Sequence, residues 1–587
     1  MRKRLRTALY FLLIPLLIHC LWRFGYAFEN AASGSALDNA AAVNTVDGEA
    51  VPANVEKKDL FNRQLDRGVK NTEPYSYVLD KRAGKNPSEA KQLLAEAVRH
   101  SPDTPAFYFR LAAGSFPDIF KGTTYTLEGI KAYKRNLWWL LSLTGLLYLS
   151  LLASAIASIT VFTLISFLKA LPLIKHDIEE DWRKLLMPLL LIPLSLLGPL
   201  FFGASLLFLA GLYLKGANKA PVYVALLLLI ASPLLLRLTN ILLSASTPEL
   251  RAIVSVNEQR GNTPAVQALA GHKDFASRFS YALAMKREGR LEEAIAEYQD
   301  IIKADNDTRL YTNLGNAYAA IGNAALAKES YQKSVELRPS ATAFYNLSQI
   351  YRDTLEFDKG DNYFAKAREL DREAVSKFMA IAARTPSRFV IDETLSQREL
   401  RTLALKNPAE AFFPPSARGD VLMSAAASAL CILFLISAGP MRQRARRCSR
   451  CNEIFCKKCA EGRPHKEDIC PKCYISIIKP AEEAPKERVA KLLRIHEKKS
   501  SSRSIIRLLS FTLPGISQMY AGRALGGLIY LWLFLFMAAA AALNPLIGTG
   551  LGTYSHVWLN PPLIAGACLL YLASFLSIRR RLQKGWL

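Results

Sequence analysis

Residues 308–340 read TRLYTNLGNAYAAIGNAALAKESYQKSVELRPS, and this stretch decides the fold. The same pattern recurs on both sides of it, in the blocks 275–307 and 341–374, at a period of 33 residues. Small and aromatic residues return to fixed places in the three blocks: Ala294, Ala327 and Gly360, then Tyr298, Tyr331 and Phe364. A period of this length is typical of helical repeat proteins, in which each block is one helix–turn–helix unit.

The marked positions of the middle block each have a physical reason. Gly315 and Ala327 are small where the two helices of one unit must touch, and Tyr331 fills space between helices. Gly322 serves the turn, and Pro339 ends the second helix because proline cannot continue the hydrogen-bond ladder. This order of residues resembles the tetratricopeptide repeat, which implies stacked helix pairs that leave a concave groove.

The outer blocks depart from this pattern. The first has Tyr281-Ala282 where Leu-Gly is usual, and the third lacks the closing proline. Terminal repeats are often atypical, so we expect three repeats within residues 245–385, closed by a helical cap at Arg372–Arg384.

The groove would be lined by the first helix of each repeat. Four amide side chains there are candidate partner-binding residues: Asn313, Asn316, Asn346 and Gln349. Asn313 and Asn316 lie one helical turn apart and could grip the backbone of a protein or peptide partner. The alternative is that these side chains are only solvated on the helix surface.

The composition of the chain points to a membrane. Its 587 residues carry a formal charge of +25, and 51% of them are hydrophobic. The apolar residues gather in blocks of 18 to 32 residues, which is the length of a membrane span. Lys and Arg crowd the flanks of these blocks, as at the cytoplasmic ends of spans, so a lipid bilayer is a better partner than nucleic acid.

The N-terminal part of the chain has the features of a segment exported across the membrane. Residues 1–28 have the form of a signal peptide or an uncleaved anchor, with four basic residues before an apolar run from Ala8 to Trp22. Residues 29–135 follow as a soluble helical region, in which Pro87 to Phe116 predicts two helices.

Two regions are predicted to cross the membrane in the middle of the chain. Residues 136–244 form a transmembrane bundle, and residues 421–438 form a separate span after a Pro-containing linker at 386–420. The apolar blocks of the bundle are Leu137–Leu168, Leu185–Leu214 and Pro221–Leu243.

Charge asymmetry predicts which side of the membrane each part occupies. Four arginines between residues 442 and 447 follow the 421–438 span, and only Arg418 precedes it. Residues from 440 onward are therefore expected in the cytoplasm and the repeats in the periplasm. This arrangement requires 185–214 to turn back on itself, whereas a single crossing there would put the repeats in the cytoplasm.

Six cysteines within residues 440–478 predict a metal site. They are Cys448, Cys451, Cys456, Cys459, Cys470 and Cys473. Two Cys-x-x-Cys turns make a tetrahedral zinc site, and a site with four thiolates is closed and structural rather than catalytic. The pattern resembles zinc-ribbon, treble-clef and FYVE-type modules. The simplest site is Cys448, Cys451, Cys470 and Cys473. Cys456 and Cys459 could hold a second zinc with His465 and one further ligand, or stay a free pair.

The C-terminal part returns to the membrane. Residues 479–504 are a basic amphipathic linker, and residues 486–499 could lie on anionic lipid headgroups. Residues 505–587 contain Pro514-Gly515-x-x-Gln518-x-Tyr520-x-Gly522, which resembles a bacterial membrane hairpin with a Pro-Gly-x-Gly-Gln-x-Tyr-x-Gly motif. Here Ser517 replaces the second glycine of that motif.

These features predict a mainly α protein: a polytopic α-helical membrane protein with a tetratricopeptide α-solenoid and a small zinc-binding module. No nucleophile–base pair or phosphate loop stands out, so the expected function is a non-enzymatic scaffold, for example in envelope assembly or secretion. The alternatives are a transmembrane signalling protein that couples the repeats to the zinc module, and a transporter or membrane enzyme component. The predicted location is a bacterial inner membrane.

Overall fold

The computed structural model describes residues 45–46, 49–50, 61, 65, 68–115, 117–180, 191, 199–244, 247–383, 390–406, 417–438, 445–456, 459, 469–475, 485–549 and 556–584. These residues are mainly helical, as predicted. The chain divides into two compact units. The first comprises residues 1–143, 241–410 and 547–558, and the second comprises residues 144–240, 411–546 and 559–587. The predicted signal peptide at 1–28 lies outside the described residues.

In the described residues between 68 and 135, the first unit has four helices, and a short hairpin precedes them. The strands β1 (Thr45–Val46) and β2 (Glu49–Ala50) pair antiparallel. The helices are α1 (Glu73–Lys85), α2 (Ala90–His100), α3 (Pro105–Ala113) and α4 (Ile119–Arg135). Helices α2 and α3 are the two expected between residues 87 and 116. Leu79, Ala97 and Phe107 are buried between the helices and form their core.

Apolar helices follow, with one departure from the predicted bundle. They are α5 (Leu137–Glu180), α6 (Pro199–Gly211), α7 (Ala220–Ile230) and α8 (Ser232–Ser244). The 44 residues of α5 exceed the roughly 20 that a bilayer needs. The block Pro221–Leu243, expected as one span, bends by 60° at Ala231. Pro233 follows the bend and cannot donate to the helix ladder. Of the block 185–214, only Leu191 and residues 199–214 are described.

The repeat array begins earlier than the three predicted blocks. Its helices are α9 (Pro248–Asn257), α10 (Thr263–Leu269), α11 (Phe275–Arg287), α12 (Leu291–Ala304), α13 (Thr308–Ala320), α14 (Ala324–Leu337), α15 (Ala341–Asp353), α16 (Phe357–Leu370) and α17 (Arg372–Ala382). Helices α11, α13 and α15 begin 33 residues apart, at the first residue of each predicted block. Helix α17 occupies the position expected for the cap.

Local chemistry explains the repeat geometry. A methyl group added at Gly315 would lie 2.6 Å from the ring of Tyr331, so only glycine lets these two helices approach this closely. The turns after α11 and α13 contain Gly289 and Gly322 with φ of +81° and +79°. Leu355 stands at the same position in the third repeat and also adopts a positive φ, of 62°, which is uncommon for a residue with a side chain.

The predicted linker at 386–420 is wrong in its described middle part. Residues 397–406 form helix α18 (Gln397–Lys406), and Leu395, Leu400 and Ala404 are buried in the core of the array. Burying these apolar side chains favours a packed segment over a free linker.

The remaining elements belong to the second unit, except residues 547–549 at the end of one helix. They are α19 (Ala417–Ala438), β3 (Arg446–Arg447), β4 (Ile454–Phe455), α20 (Pro471–Cys473), α21 (Pro485–Leu509), α22 (Ile516–Tyr520), α23 (Ala524–Thr549) and α24 (Asn560–Gln583). Helix α19 covers the predicted span 421–438, and its described apolar part is Ala425–Ile436. Among the described residues, three helices are long and apolar enough to cross a membrane: Leu137–Glu180, Ala524–Asn544 and Asn560–Gln583.

The motif at 514–522 fastens the C-terminal helices to one another. Gly515 has a φ of +92°, and its N–H donates to Ser574 Oγ at 3.0 Å. Gln518 Nε2 donates to the Ser574 carbonyl oxygen and hydroxyl, both at 2.9 Å. A side chain at Gly515 or Gly527 would collide with the backbone of the other residue, so glycine at both positions allows the close packing.

Candidate functional site

The groove formed by the first helices of the repeats is filled by the same chain. Residues Val390 to Ser396, which we name the groove segment, lie between α17 and α18 in the sequence. Hydrogen bonds hold the backbone of every second residue of the groove segment. This is the spacing of an extended chain, whose successive side chains point to opposite sides.

Two asparagines hold the backbone with paired bonds. Asn346 Oδ1 accepts from the Ile391 N–H at 2.8 Å, and Asn346 Nδ2 donates to the Ile391 carbonyl oxygen at 2.8 Å. Asn313 makes the same pair of bonds with Glu393, at 2.9 and 3.0 Å. Because Asn313 and Asn346 occupy the same position in successive repeats, one repeat corresponds to two residues of the groove segment.

Asn316 connects these backbone hydrogen bonds to the packing of the helices. Its Nδ2 donates to the Ile391 carbonyl oxygen at 2.9 Å and to Asp392 Oδ1 at 3.1 Å. Its Oδ1 accepts from the Tyr331 hydroxyl at 2.8 Å. The exposed fraction of Asn313, Asn316 and Asn346 is 0%, so solvation on the helix surface is the wrong explanation for them.

The fourth candidate, Gln349, behaves differently. Its Nε2 donates to Ser348 Oγ at 3.1 Å. Within the described part of the chain, it makes no hydrogen bond to the groove segment. Its predicted part in partner binding therefore stays a prediction.

A buried ion pair fixes the side chain of Asp392. Lys286 Nζ pairs with Asp392 Oδ1, and Arg287 Nε donates to Asp392 Oδ2 at 3.1 Å. The exposed fraction of these side chains is 9% for Lys286, 2% for Arg287 and 0% for Asp392. Arg287 Nη1 also donates to the Val256 carbonyl oxygen at 2.7 Å. Two cations in one buried pocket make this position selective for an acidic residue.

The C-terminal end of the groove segment is anchored separately. Asn257 Oδ1 accepts from the Leu395 N–H at 2.8 Å. Ser396 and Glu399 then cap α18 reciprocally: Glu399 Oε2 accepts from the Ser396 N–H at 2.7 Å, and Ser396 Oγ accepts from the Glu399 N–H at 3.3 Å. The guanidinium group of Arg309 donates to both carboxylate oxygens of Glu399 at 2.9 Å. Helix α18 is thereby held to the array.

Sequence reasoning missed the groove segment and the residues that bind its charged side chain. A weak signal existed, because the adjacent cations Lys286 and Arg287 end a helix in which most of the other residues are buried. The acidic pair Asp392 and Glu393 between aliphatic residues is the matching feature. Nothing in the sequence links two features that lie over 100 residues apart.

Four of the six cysteines could hold a metal ion. The donor atoms of Cys448, Cys451, Cys470 and Cys473 all lie within 4.8 Å of one another. The Cys470 N–H donates to Cys448 Sγ at 3.3 Å, and the Cys473 N–H donates to Cys470 Sγ at 3.4 Å. Burial opposes ionisation of Cys448, but backbone N–H groups of Cys470 and Cys451 outweigh it and lower its pKa to about 7. Four soft donors in one cluster suit a closed structural zinc site.

The other two cysteines lie apart from this cluster. Cys456 Sγ and Cys459 Sγ are 3.2 Å from each other, and the Cys459 N–H donates to Cys456 Sγ at 3.4 Å. His465, their predicted companion, lies outside the described residues. Cys456 is buried, whereas Cys459 is exposed.

Comparison with known proteins identifies the repeat. Residues 308–340 match the sequence model of the family described as "Tetratricopeptide repeat", which confirms the prediction for the middle block. No curated protein matches the chain. Among solved structures, one similar chain is "Crystal Structure of the Yeast Tom70", with 14% identity over 90% of this chain and 98% of that chain. Its TM-score of 0.18 is too low to carry an argument about function.

Proposed function

We propose that this chain is a non-enzymatic, membrane-anchored scaffold whose repeats bind an extended peptide of a partner protein. The observation that carries the proposal is the paired hydrogen bonding of Asn313 and Asn346 to a peptide backbone. The groove segment acts as an intramolecular occupant of that site. A partner peptide would bind in its place.

The contacts of the groove segment support a specific chemistry for the partner. Backbone bonds from asparagine accept any sequence that can stay extended. Lys286 and Arg287 require an acidic side chain at one position, because two buried cations without a carboxylate are costly. Val390 and Leu395 are buried and favour aliphatic side chains beside it. The expected ligand is therefore an extended peptide with one acidic residue between aliphatic residues.

The groove segment lowers the apparent affinity of the repeats for a partner peptide. A segment joined to its own site competes at an effective concentration on the order of millimolar. The apparent affinity for a free peptide falls in proportion to the fraction of open grooves. A partner must therefore offer more contacts than the groove segment, or bind when α18 has left the array.

The membrane anchor of the proposed scaffold rests on the three apolar helices. Helix α24 leaves Leu569 and Leu572 exposed, as a lipid-facing surface would. On α21, Val489 and Leu493 are exposed beside basic residues, which supports contact of 486–499 with anionic lipid. We place the scaffold in a bacterial inner membrane, with periplasmic repeats that serve envelope assembly or secretion. The zinc module and the C-terminus would then be cytoplasmic.

The test uses the purified full chain in detergent micelles and a fluorescent peptide with the sequence VIDETLS of residues 390–396. Asp392→Lys places a third cation beside Lys286 and Arg287 and should expel the groove segment. We expect this variant to bind the free peptide about 100-fold more tightly than the unchanged chain, by fluorescence anisotropy.

Two controls make the result specific. The peptide with lysine in place of aspartate should not bind, and adding Asn313→Ala and Asn346→Ala to the Asp392→Lys chain should abolish binding. A folded Asp392→Lys chain that does not bind the free peptide would refute the proposal. Asp392→Asn replaces Asp392→Lys if the latter fails to fold, and the same comparison applies.

A further inference from the structure

A second group of metal donors lies in the second unit, outside the four-cysteine cluster. It consists of His176, near the C-terminal end of α5, together with Cys456 and Cys459. One donor atom from each residue lies within 4.8 Å of the other two. His176 Nε2 is 3.4 Å from Cys459 Sγ, and the two sulfur atoms are 3.2 Å apart.

These distances suit a common metal. Zinc binds sulfur at about 2.3 Å and histidine nitrogen at about 2.0–2.1 Å, so the donors of a tetrahedral site stand roughly 3.4–3.8 Å from one another. The nitrogen–sulfur distance falls in this range. Two sulfur ligands belong at its upper end, about 3.8 Å, so the two sulfur atoms need to separate by about 0.6 Å. Two thiolates and one imidazole are a donor set that zinc commonly takes.

Cys456 and Cys459 share a hydrogen bond that is also present in the four-cysteine cluster. The Cys459 N–H donates to Cys456 Sγ at 3.4 Å. The Cys473 N–H donates to Cys470 Sγ at the same distance, within the four-cysteine cluster. The two Cys-x-x-Cys pairs share this N–H to sulfur bond, as expected where both pairs present thiolates to an ion.

The position of His176 is fixed by contacts that need no metal. The next residue, Asp177, accepts a hydrogen bond from the Ala445 N–H at 3.0 Å and another from the Tyr213 hydroxyl at 2.8 Å. Arg447 Nη2 donates to the Lys169 carbonyl oxygen at 2.9 Å. The first strand of the cysteine module thus lies along the end of α5. This contact places the His176 imidazole next to the two sulfur atoms.

We infer that His176, Cys456 and Cys459 form a second zinc site, which ties the cysteine module to the end of α5. A water molecule completes the coordination. The site differs from the four-cysteine site in exposure, because Cys459 is exposed whereas Cys448, Cys470 and Cys473 are 2–4% exposed. The second zinc is therefore the one that a chelator removes first.

The test measures zinc in the purified full chain in detergent micelles. We expect two zinc ions per chain by mass spectrometry, released to a coloured chelator in a fast and a slow phase. His176→Ala should leave one zinc and only the slow phase. The affinity of the second site for zinc should fall at least about 100-fold. Loss of a residue that only orients a metal ligand costs up to about 100-fold, and His176 is itself the proposed ligand.

Matched variants separate ligation from structural damage. His496 is an exposed histidine on α21, so His496→Ala should keep both zinc ions. His176→Cys should restore the second ion, and in the cobalt-substituted chain it should strengthen the thiolate-to-cobalt absorption band, because a third thiolate replaces the imidazole.

Three results would overturn the inference. They are a single zinc in the unchanged chain, two zinc ions in His176→Ala, and a disulfide between Cys456 and Cys459 in protein purified without oxidant. Retention of the slow phase in His176→Ala shows that this variant has folded. Loss of its fast phase then reports the loss of a ligand to the second zinc.

Discussion

Substitution of Asp392 by asparagine tests whether the groove segment is held by charge. The side chain of Asp392 is 0% exposed and pairs with Lys286 and Arg287, which are themselves nearly buried. Asparagine has almost the same volume, so the packing is preserved. It removes the negative charge that pairs with Lys286 and Arg287.

The size of the effect follows from this burial. Removing one partner of a buried ion pair costs about 3–5 kcal/mol, because the other charge stays desolvated. The amide oxygen of asparagine can still accept one hydrogen bond, so we take the lower end, about 3 kcal/mol. At 1.4 kcal/mol per factor of ten, the groove segment should leave its site about 100-fold more often.

Hydrogen exchange measures directly how often the groove segment leaves its site. The N–H groups of Ile391, Glu393 and Leu395 are bonded to asparagine side chains and should be protected in the unchanged chain. In Asp392→Asn, these amides should exchange about 100-fold faster, measured by mass spectrometry of the peptide that contains them. Glu373→Gln is the matched control, since it removes a carboxylate whose side chain is 82% exposed and should change nothing.

Two results would refute the reasoning. Equal protection of the groove segment in both chains would mean that the ion pair does not hold it. Faster exchange throughout α1–α4 as well would mean that Asp392 stabilises the whole first unit, with no separate opening of the groove.

Substitutions at two glycines and at a buried histidine test the packing and the pH dependence, with Gly526→Ala as a control. Gly315→Ala should lower the free energy of unfolding by about 1–3 kcal/mol, seen in thermal melting, because the new methyl group would meet the Tyr331 ring. Gly527→Ala should destabilise the C-terminal helices in micelles by a similar amount, whereas Gly526→Ala meets nothing within 4 Å and should not. Burial lowers the pKa of His100 to about 4, below its value in the unfolded chain, so its contribution to stability is present above about pH 6.5 and is lost as the pH falls towards 4. His100→Gln should reduce that loss, measured as the difference in melting temperature between pH 7 and pH 4.5.

The repeat period was predictable because its causes are local. The contact between Gly315 and Tyr331 lies within one block, and so does the turn at Gly322. A block of 33 residues therefore carries enough information to place its own two helices. The helices of the array begin at the residues where the blocks begin.

The groove segment was not predictable for the opposite reason. Its bonds join residues 45 to 138 positions apart, and its sequence alone does not distinguish a buried strand from a linker. Only stacking of the repeats brings Asn257, Asn313 and Asn346 to the same extended chain. His176 escaped notice in the same way, since it lies 283 residues from Cys459, near the end of an apolar helix.

The two kinds of contact in the groove have different consequences for recognition. A shift of the groove segment by two residues would keep the spacing of the backbone bonds, so asparagines alone cannot fix its register. Such a shift would place Val390 or Thr394 against Lys286 and Arg287. Two buried cations would then lack a carboxylate, at a cost of about 3–5 kcal/mol. The Asp392 pocket therefore selects the register of the groove segment, and under the proposed function a partner peptide carries its acidic residue at that one position.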